Sequence, residues 1–422
     1  MMPATMTYDA VVIGGGASGM LAAGRAAENG LRVLLLERNS RLGKKLSITG
    51  DGRCNLTNTD ERAGFIENFG KNGKFLYRAL AEFSNHDLIA FFNGLGVRTR
   101  EERGGRIFPA NGDAESVVRA LERYMRKHGV TVKMNSRVEK IIIDTASGAV
   151  TGVTLKNDEE IIGARKIILA TGGLSYPATG STGDGYSMAE ALGHTIIPLT
   201  PALVPLETEE TFPKDLQGVS LDNVAVTVLS NNKRVGVRLG DMLFTHFGIS
   251  GPVILALSGL IIECLGTKDR VVLSIHLKPA LDELGLEDWF IAEFARSGNK
   301  SIRTVMKSLL PAALATVLVA SSGIPGDKKC NQIKNDERKK LVGLLMDFRL
   351  TVRRPRPIAE AIITRGGIDL NEIDPRTMES KKVKGLYFCG EIMDIDGNSG
   401  GYNLQAAFST AYLAAKNRLL PD

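Results

Sequence analysis

The chain holds few of the residues that cross-link small proteins or bind metal ions. Its 422 residues include four cysteines and five histidines. Cys54, Cys264, Cys330 and Cys389 lie far apart and form no C-x-x-C pair, which excludes a zinc knuckle and a disulfide framework. His, Cys, Asp and Glu also form no cluster with the spacing of metal ligands. The sequence therefore predicts no metal site and fits a reducing cytoplasm.

Long apolar runs and a strong charge of one sign are also absent. No run reaches the roughly 18 residues that a membrane span needs, and MMPATMTYD lacks the basic segment of a signal peptide. The net charge of +6 comes from 53 basic and 47 acidic residues that are spread along the chain, so it does not favour nucleic acid as a partner. We interpret the basic runs 328–340 and 353–356 as solvated helix or linker faces, although a nucleic-acid or protein partner for them stays open.

The first half of the chain has the alternating strand and helix patterns of an α/β domain. A length of 422 residues exceeds what one hydrophobic core usually serves, so we expect two domains or one domain with a large insertion. Apolar β-rich runs alternate with helical patterns, which favours a mostly parallel sheet. The expected strands are 8–13, 31–37, 130–134 and 166–171, and the helices between them include 17–29 and 113–128.

The pattern changes at about residue 196. Short strand-like runs, among them 224–230 and 271–277, precede helical spacing over 281–347. RRPRP (353–357) is interpreted as a return linker, followed by a strand at 384–391 and a helix at 402–419. The sequence thus predicts a domain of residues 1–195 plus 355–422 with an inserted region, 196–354, that is strand-rich over 196–279 and helical over 280–348.

The segment YDAVVIGGGASGMLAAGRAAENGLRVLLLE carries the signature of a dinucleotide site. A buried strand leads into Gly14-x-Gly16-x-x-Gly19, and an alanine-rich helix, a second strand and the acid Glu37 follow. Gly14 permits the tight turn, Gly16 lets the backbone approach a pyrophosphate, and Gly19 lets the helix pack closely on the strand. The motif fits NAD or FAD, while Glu37 would bind the ribose and repel the 2′-phosphate of NADP. The residues predicted to contact the cofactor here are Gly14, Gly16, Ala17, Ser18, Gly19, Glu37 and Arg38.

A second glycine-rich stretch near the C-terminus favours FAD over NAD. In GLYFCGEIMDIDGNSGGYNLQAAFSTAYLAA a strand ends at Gly390-Glu391, and Gly400-Gly401 open a helix. An extended FAD needs such a site for its ribityl chain and ring, and a positive helix end would favour the anionic reduced flavin. The residues predicted to contact FAD here are Gly390, Glu391, Gly401, Tyr402, Asn403 and Leu404.

Two further stretches are predicted to complete the set of segments that surround the cofactor. ATGGLSYPATGSTGDGY returns to the cofactor after a strand and opens a second alanine-rich helix. SITGDGRCNLTN (47–58) shows neither metal ligands nor an activating base, so we interpret it as a close backbone approach to the cofactor. The residues predicted from these stretches are Ala170, Thr171, Gly172, Asp184, Lys45, Thr49, Gly50, Gly52, Arg53, Cys54 and Asn55.

The motifs together resemble those of a known family. GGGASGMLAA, KLSITGDGRCNLTN, GGRIFP, ATGGLSYPATGSTGDGY, LFTHFGISGP and TMESKKVKGLYFCGEIMDIDGNSGGYNLQAAFSTAYLAA are similar to motifs of the HI0933-like, or BaiN-type, NAD(P)/FAD-dependent oxidoreductases. The resemblance implies non-covalent FAD in a Rossmann-type domain, with an insertion made of a β-barrel-like part and a helical part. It further implies that the backbone of Val138 lies against the adenine. It leaves open which of Glu391, Asp394 and Asp396 binds the ribityl chain.

Few side chains are candidates for proton transfer. His246, in the turn of LFTHFGISGP, is the best acid or base candidate, and Tyr402 and Tyr176 could donate a proton or stack. Arg53 could supply charge near the flavin, and Cys54 could be an inert thiol, a flavin contact or a redox-active thiol. Arg106 of GGRIFP could steer an anionic substrate or reach a phosphate, or could pair with Glu101 or Glu102.

The function predicted from these features is that of an FAD-dependent oxidoreductase. It would transfer hydride between flavin N5 and a small or medium organic substrate. NAD(P)H is a candidate transient donor, although no second Gly-x-Gly-x-x-Gly follows a strand to form a nicotinamide domain. The alternative is a flavin-containing binding or redox-switch protein with an RNA or protein partner. The oligomeric state is not readable from the sequence.

Overall fold

The structure of the protein is a computed structural model, which describes residues 8–416 apart from the side chain of Glu159. One unit combines the two ends of the chain, up to Thr200 and from Ile362, and the second unit is Pro201–Ala361. The predicted insertion, 196–354, begins and ends a few residues earlier than the second unit. The N-terminal segment 1–7 and the end of the predicted last helix, 417–419, lie outside the described residues.

The elements are numbered in chain order. The strands are β1 Tyr8–Ile13, β2 Val33–Leu36, β3 Thr57–Asn58, β4 Thr99–Glu102, β5 Arg106–Pro109, β6 Thr131–Lys133, β7 Val138–Asp144, β8 Ala149–Leu155, β9 Asp158–Leu169, β10 Ile196–Ala202, β11 Leu206–Thr208, β12 Ser220–Ser230, β13 Lys233–Thr245, β14 Gly248–Ser250, β15 Val271–His276, β16 Phe348–Pro355, β17 Ile363–Ile368 and β18 Leu386–Phe388. The helices are α1 Ala17–Glu28, α2 Lys44–Ile48, α3 Arg62–Asn68, α4 Tyr77–Glu82, α5 Asn85–Gly94, α6 Ala114–Lys127, α7 Asp184–Ala191, α8 Pro252–Gly266, α9 Glu283–Arg296, α10 Ile302–Leu309, α11 Ala312–Ser322, α12 Asn335–Met346 and α13 Tyr402–Lys416. Within residues 8–416 we find no helix with the length and apolar character needed to cross a bilayer.

A parallel sheet forms the centre of the first unit. Its strands β6, β2, β1 and β9 lie side by side and run parallel, and β18 pairs with the other edge of β9. Continuous apolar runs form β1 and β2 because both faces of these strands are covered. β7 and β8 add to the first half of β9 in antiparallel order. The predicted Rossmann-type domain with a mostly parallel sheet is therefore confirmed.

Small residues allow α1 to be buried on several sides. It lies against α13 and α6 as well as against β1. Alanines and glycines dominate its sequence, ASGMLAAGRAAE, and nearly all of them are buried. A Cβ on Gly24 would lie 2.4 Å from ring atoms of Tyr124, so a glycine there lets α6 approach closely.

The second unit joins a closed barrel to a helical part. The barrel order is β11-β14-β13-β12-β15-β16, and α8 packs on β13. The unit has its own apolar core, which includes Phe244, Leu273 and Phe290. The interpretation of RRPRP as a linker was wrong, because Arg353–Pro355 is the end of β16. Arg354 forms an ion pair there with Glu207 of β11 at 2.7 Å, and the two residues lie opposite each other in the β11–β16 register.

Substitution by alanine should have opposite effects at two helical glycines of the first unit. Gly24→Ala should lower the free energy of unfolding by about 1–3 kcal/mol, because the new methyl group overpacks against Tyr124. Gly94→Ala, at the end of α5, meets nothing within 4 Å and should raise it by up to about 1 kcal/mol through helix propensity. Urea unfolding of both variants measures the difference. Equal effects of the two substitutions would contradict the close packing of α1 on α6.

Candidate cofactor site

The first glycine motif has the three geometries that its sequence predicts. Gly14 has a φ of 105°, in the region that favours glycine, at the turn that ends β1. A Cβ on Gly19 would lie 1.8 Å from the carbonyl oxygen of Gly14, so α1 touches the turn. A Cβ on Gly16 would meet nothing within 4 Å, and Gly16 opens α1 without a side-chain cap. The N-terminus of α1 therefore faces open space with its backbone N–H groups available for an anion.

Glu37 directly follows β2, beside this turn. It is buried, and its carboxylate accepts hydrogen bonds of 2.7 Å each from the N–H of Gly15 and from the backbone and side-chain nitrogens of Asn39. These bonds fix the position of the carboxylate, and its contact with an adenosine ribose stays a prediction. Asn39, which the sequence did not single out, is one of the groups that hold it there.

Asp184 orders two arginines near the predicted adenine end. It accepts a pair of hydrogen bonds from Arg137, at 2.7 and 2.8 Å, and one from Arg38 at 3.0 Å. Burial alone would raise the pKa of Asp184, but the hydrogen bonds of Arg137 and Thr182 and the charge of Arg38 hold it below its usual value. Val138 is buried next to Arg137 at the start of β7. Asp184 thus fixes neighbouring side chains, and a direct contact with the cofactor stays a prediction.

Glu391 is the acceptor of a network that the sequence did not predict. Its carboxylate accepts hydrogen bonds from Lys45 at 2.6 Å, from the hydroxyl of Ser175 at 2.7 Å and from the N–H of Thr364 at 2.7 Å. Lys45 also donates to Ser175 at 2.6 Å. Four distant parts of the chain therefore meet at Glu391, and Lys45 neutralises its charge.

The other two carboxylates left open by the sequence lie in different surroundings. Asp396 pairs with Arg365 at 2.9 Å. Asp394 is half-buried and accepts a hydrogen bond of 3.1 Å from the side chain of Asn72. Burial raises the pKa of Asp394; the Asn72 bond opposes this shift, and the charge of Asp396 adds to it.

The stretch SITGDGRCNLTN forms a compact turn with an unusual backbone. Gly50, Asp51, Gly52 and Cys54 have φ values of 57°, 55°, 80° and 58°. The N–H of Cys54 donates to the carbonyl of Thr49, which closes the turn, and the carbonyl of Gly52 accepts from α6. The N–H of Arg53 also donates to the carbonyl of Gly50 inside the turn, and an approach of this segment to a cofactor stays a prediction.

Asn55 and Asn58 connect this segment to the glycine pair before α13. With its amide oriented to satisfy all partners, Asn55 donates to Thr57 and accepts from the N–H of Gly401 at 3.0 Å. Asn58 donates to the carbonyl of Gly400 at 3.0 Å. A Cβ on Gly401 would lie 2.3 Å from the carbonyl oxygen of Thr57, so only glycine allows this approach. Asn403 holds the preceding loop by donating to Gly397 and accepting from it.

Two proposed catalytic side chains are already committed to partners. The hydroxyl of Tyr402 donates to Asp60 at 2.6 Å, and its buried ring packs edge-on against Phe65. Arg53 pairs with Glu102, and its guanidinium lies 4.3 Å from the centre of the Phe108 ring. These contacts favour structural roles for both residues.

Cys54 is enclosed rather than reactive. Its side chain has no exposed surface, and burial raises the pKa of its thiol to about 12, although a hydrogen bond with Thr49 opposes the shift. A thiol with such a pKa remains protonated at neutral pH, and the thiolate is the nucleophilic form. Of the three alternatives for Cys54, the geometry favours the inert packed thiol.

His246 and Tyr176 are the accessible candidates. His246 is exposed in the turn between β13 and β14 of the second unit, where its ring lies 4.9 Å from that of Phe247. Tyr176 is 37% exposed and has a positive φ of 51° in the first unit. Their roles stay predictions. In residues 8–416 we find no group of three His, Cys, Asp or Glu side chains that could hold a metal ion.

The two glycine-rich stretches adjoin in a way that suits one extended ligand. A Cβ on Gly390 would lie 2.6 Å from the hydroxyl oxygen of Ser18, in the first turn of α1. The N–H groups of α1 and the carboxylate network of Glu391 therefore lie on neighbouring segments. Thr171, close by, has a buried hydroxyl oxygen with no partner in the described chain. These hydrogen-bonding groups together fit a pyrophosphate followed by a polyhydroxylated chain, as in FAD.

Comparisons with known proteins agree with this geometry. The profile of the HI0933-like protein Rossmann domain matches residues 8–417. A ribosomal RNA dihydrouridine synthase from Escherichia coli is 34% identical over 97% of this chain and 98% of its own length. A 3-dehydro-bile acid delta(4,6)-reductase from Clostridium scindens is 31% identical over 96% of this chain and 97% of its own length. A solved 3-ketosteroid-delta4-(5alpha)-dehydrogenase from Rhodococcus jostii has the same fold, with a TM-score of 0.53, 16% identity and coverage of 99% of this chain and 98% of its own.

Gly16→Val should separate cofactor binding from folding. The new side chain points into open space from an ordinary φ of −83°, so the fold should be retained, while the pyrophosphate approach is blocked. We expect at least about a tenfold loss of FAD affinity, measured by flavin fluorescence, with an unchanged unfolding curve of the cofactor-free protein. Gly19→Val serves as the contrast, since it clashes with Gly14 and should impair folding itself. Unaltered FAD affinity in the Gly16 variant would refute the placement of the pyrophosphate.

Cys54→Ser should keep both FAD and turnover. The hydroxyl replaces a protonated thiol of similar size and retains a hydrogen-bond partner in Thr49. The flavin absorbance and the reoxidation rate of the purified variant should stay within about a factor of three of the parent values. A protonated, buried thiol is a poor nucleophile, so its loss should not slow the reaction. A variant that stays yellow but loses turnover would assign the thiol a chemical role.

Proposed function

The chain belongs to the HI0933-like family and is an FAD-dependent oxidoreductase, and we propose that it reduces a carbon–carbon double bond conjugated with a carbonyl group. The first candidate substrate is a uracil ring in ribosomal RNA. The full-length similarity to two reductases carries this proposal.

The activities for which these two relatives are named share one chemical step. A dihydrouridine synthase saturates the double bond of uracil, which is conjugated with a ring carbonyl. A delta(4,6)-reductase acts on a double bond conjugated with the 3-oxo group of a 3-dehydro-bile acid. Saturation of such a double bond by a reduced flavin would add a hydride to its electron-poor end and a proton to the other end. We rank uracil first because the dihydrouridine synthase has the higher identity, 34% against 31%, and slightly higher coverage.

The residues of the first unit would position the reacting ring. Bound FAD would supply the hydride from N5. The N-terminus of α1 would hold the pyrophosphate, and Glu391 would hold the ribityl chain once its hydrogen bonds with Lys45 and Ser175 are shared with the hydroxyls. The positive N-terminus of α13, which Asn55 and Asn58 locate, would stabilise negative charge on the reduced ring.

The proton requires a separate donor. Tyr402 is buried and its hydroxyl already donates to Asp60, which makes it a poor candidate. His246 is exposed in the second unit, and histidine is the side chain that most often serves as a general acid or base, so it remains our candidate. NAD(P)H is our candidate electron donor, binding transiently without a nicotinamide domain of its own.

Anaerobic reoxidation tests this function. The photoreduced protein should regain its oxidised flavin spectrum when mixed with ribosomal RNA lacking dihydrouridine, and nucleoside analysis of that RNA should then show dihydrouridine. A conjugated 3-oxo steroid provides the second acceptor, and its saturated analogue provides the control. Reoxidation by oxygen alone, with peroxide release and no reaction with either acceptor, would indicate an oxidase. Binding of RNA without any reoxidation would instead favour the redox-switch alternative.

A further inference from the structure

Two arginines stand at the tip of the hairpin formed by β4 and β5. The turn reads Arg103-Gly104-Gly105-Arg106, and the side chains of both arginines are exposed. The Nε of Arg106 donates to the carbonyl of Arg103 at 3.0 Å, so the two residues are close together. The guanidinium of Arg106 also lies 5.7 Å from the centre of the Phe108 ring.

The turn is joined directly to the segment that precedes α13. The side-chain amide of Asn58 donates to the carbonyl of Gly104 and to the carbonyl of Gly400, each at 3.0 Å. The N–H of Thr59 donates to the carbonyl of Gly105 at 2.8 Å. The position of the arginines is therefore fixed relative to the glycine pair that opens α13.

Neighbouring carboxylates are engaged elsewhere. Glu102 pairs with Arg53 and with Arg100, and Glu101 accepts a bond from Thr59. Within residues 8–416, neither Arg103 nor Arg106 makes an ion pair. In the structure Arg106 pairs with neither Glu101 nor Glu102, although Glu102 lies opposite it in the β4–β5 register, and this supports the prediction that Arg106 meets an anion.

Two unpaired cations on one short turn repel each other, and an anion that binds both relieves this repulsion. A guanidinium matches the geometry of a phosphate and donates two parallel hydrogen bonds to it. The proposed ribosomal RNA substrate carries one phosphate per nucleotide. A bile-acid-like substrate has no such series of charges along its length.

We propose that Arg103 and Arg106 bind backbone phosphates of the RNA that carries the uracil substrate, at the α13 end of the cofactor site. This inference rests on the proposed function, since it identifies the substrate as a polyanion. Phosphate contacts of this kind set the position of an RNA and contribute no sequence preference.

Single and double substitutions test the proposal in the holoenzyme. Arg103→Gln and Arg106→Gln should each weaken binding of a fluorescein-labelled ribosomal RNA fragment by about threefold, and the double variant by about tenfold. The slope of log affinity against log salt should fall by about 0.7 for each phosphate of a single strand that is no longer neutralised. Fluorescence anisotropy at several salt concentrations measures both quantities. The FAD spectrum, FAD affinity and reoxidation by free uridine should stay unchanged, because uridine carries no phosphate.

Arg98→Gln is the matched control. Arg98 is exposed just before β4 and lies away from the turn, and its substitution removes the same charge. Equal losses of RNA affinity in all three single variants would overturn the proposal, since only net charge would then matter. Unchanged affinity in the double variant would also overturn it, even if RNA is reduced. If the parent protein binds no RNA, the inference is wrong. If the variants lose RNA affinity as predicted but the parent does not reduce uracil in RNA, only the proposed function is wrong.

Discussion

The contact between α1 and the turn after β1 is the constraint on which the rest of the site depends. Because Gly19 has no side chain, the first turn of α1 lies directly against the carbonyl of Gly14. That orientation places Ser18 beside Gly390, although the two residues belong to opposite ends of the chain. α13 and α6 then pack on the small side chains of α1. One close approach thus positions both glycine-rich stretches.

A second set of contacts relates the 47–58 segment to α13. The side chain of Asn58 donates to the carbonyls of Gly104 and Gly400, and the side-chain oxygen of Asn55 accepts from the N–H of Gly401. Such amide bridges are specific because a buried amide that loses one partner leaves a polar group unsatisfied, at a cost of about 1–3 kcal/mol. The start of α13 is therefore located by hydrogen bonds of a loop rather than by helix packing alone.

The parts of the site that could be predicted from sequence are those whose chemistry is local. Gly14, Gly16 and Gly19 follow from the backbone needs of one turn, and the structure has all three geometries. The partners of Glu391 could not be predicted in this way, because Lys45 and Ser175 lie 346 and 216 residues away in the sequence. Only tertiary packing brings them together. RRPRP was misinterpreted for a related reason, since Glu207, which supports it as a strand, lies 147 residues earlier.

The cations of the first unit differ in whether they form ion pairs with carboxylates. Lys45, Arg38, Arg53 and Arg365 each pair with a carboxylate, and these pairs lie in partly buried surroundings. A partly buried cation without a partner carries a desolvation cost, so its pairing first restores stability and fixes geometry. The exposed arginines of the β4–β5 turn carry no such cost and keep their full charge toward solvent. The same residue type therefore occurs in two environments in this unit: paired, partly buried arginines fix neighbouring side chains, and the exposed arginines of the β4–β5 turn contribute a positive field in solvent.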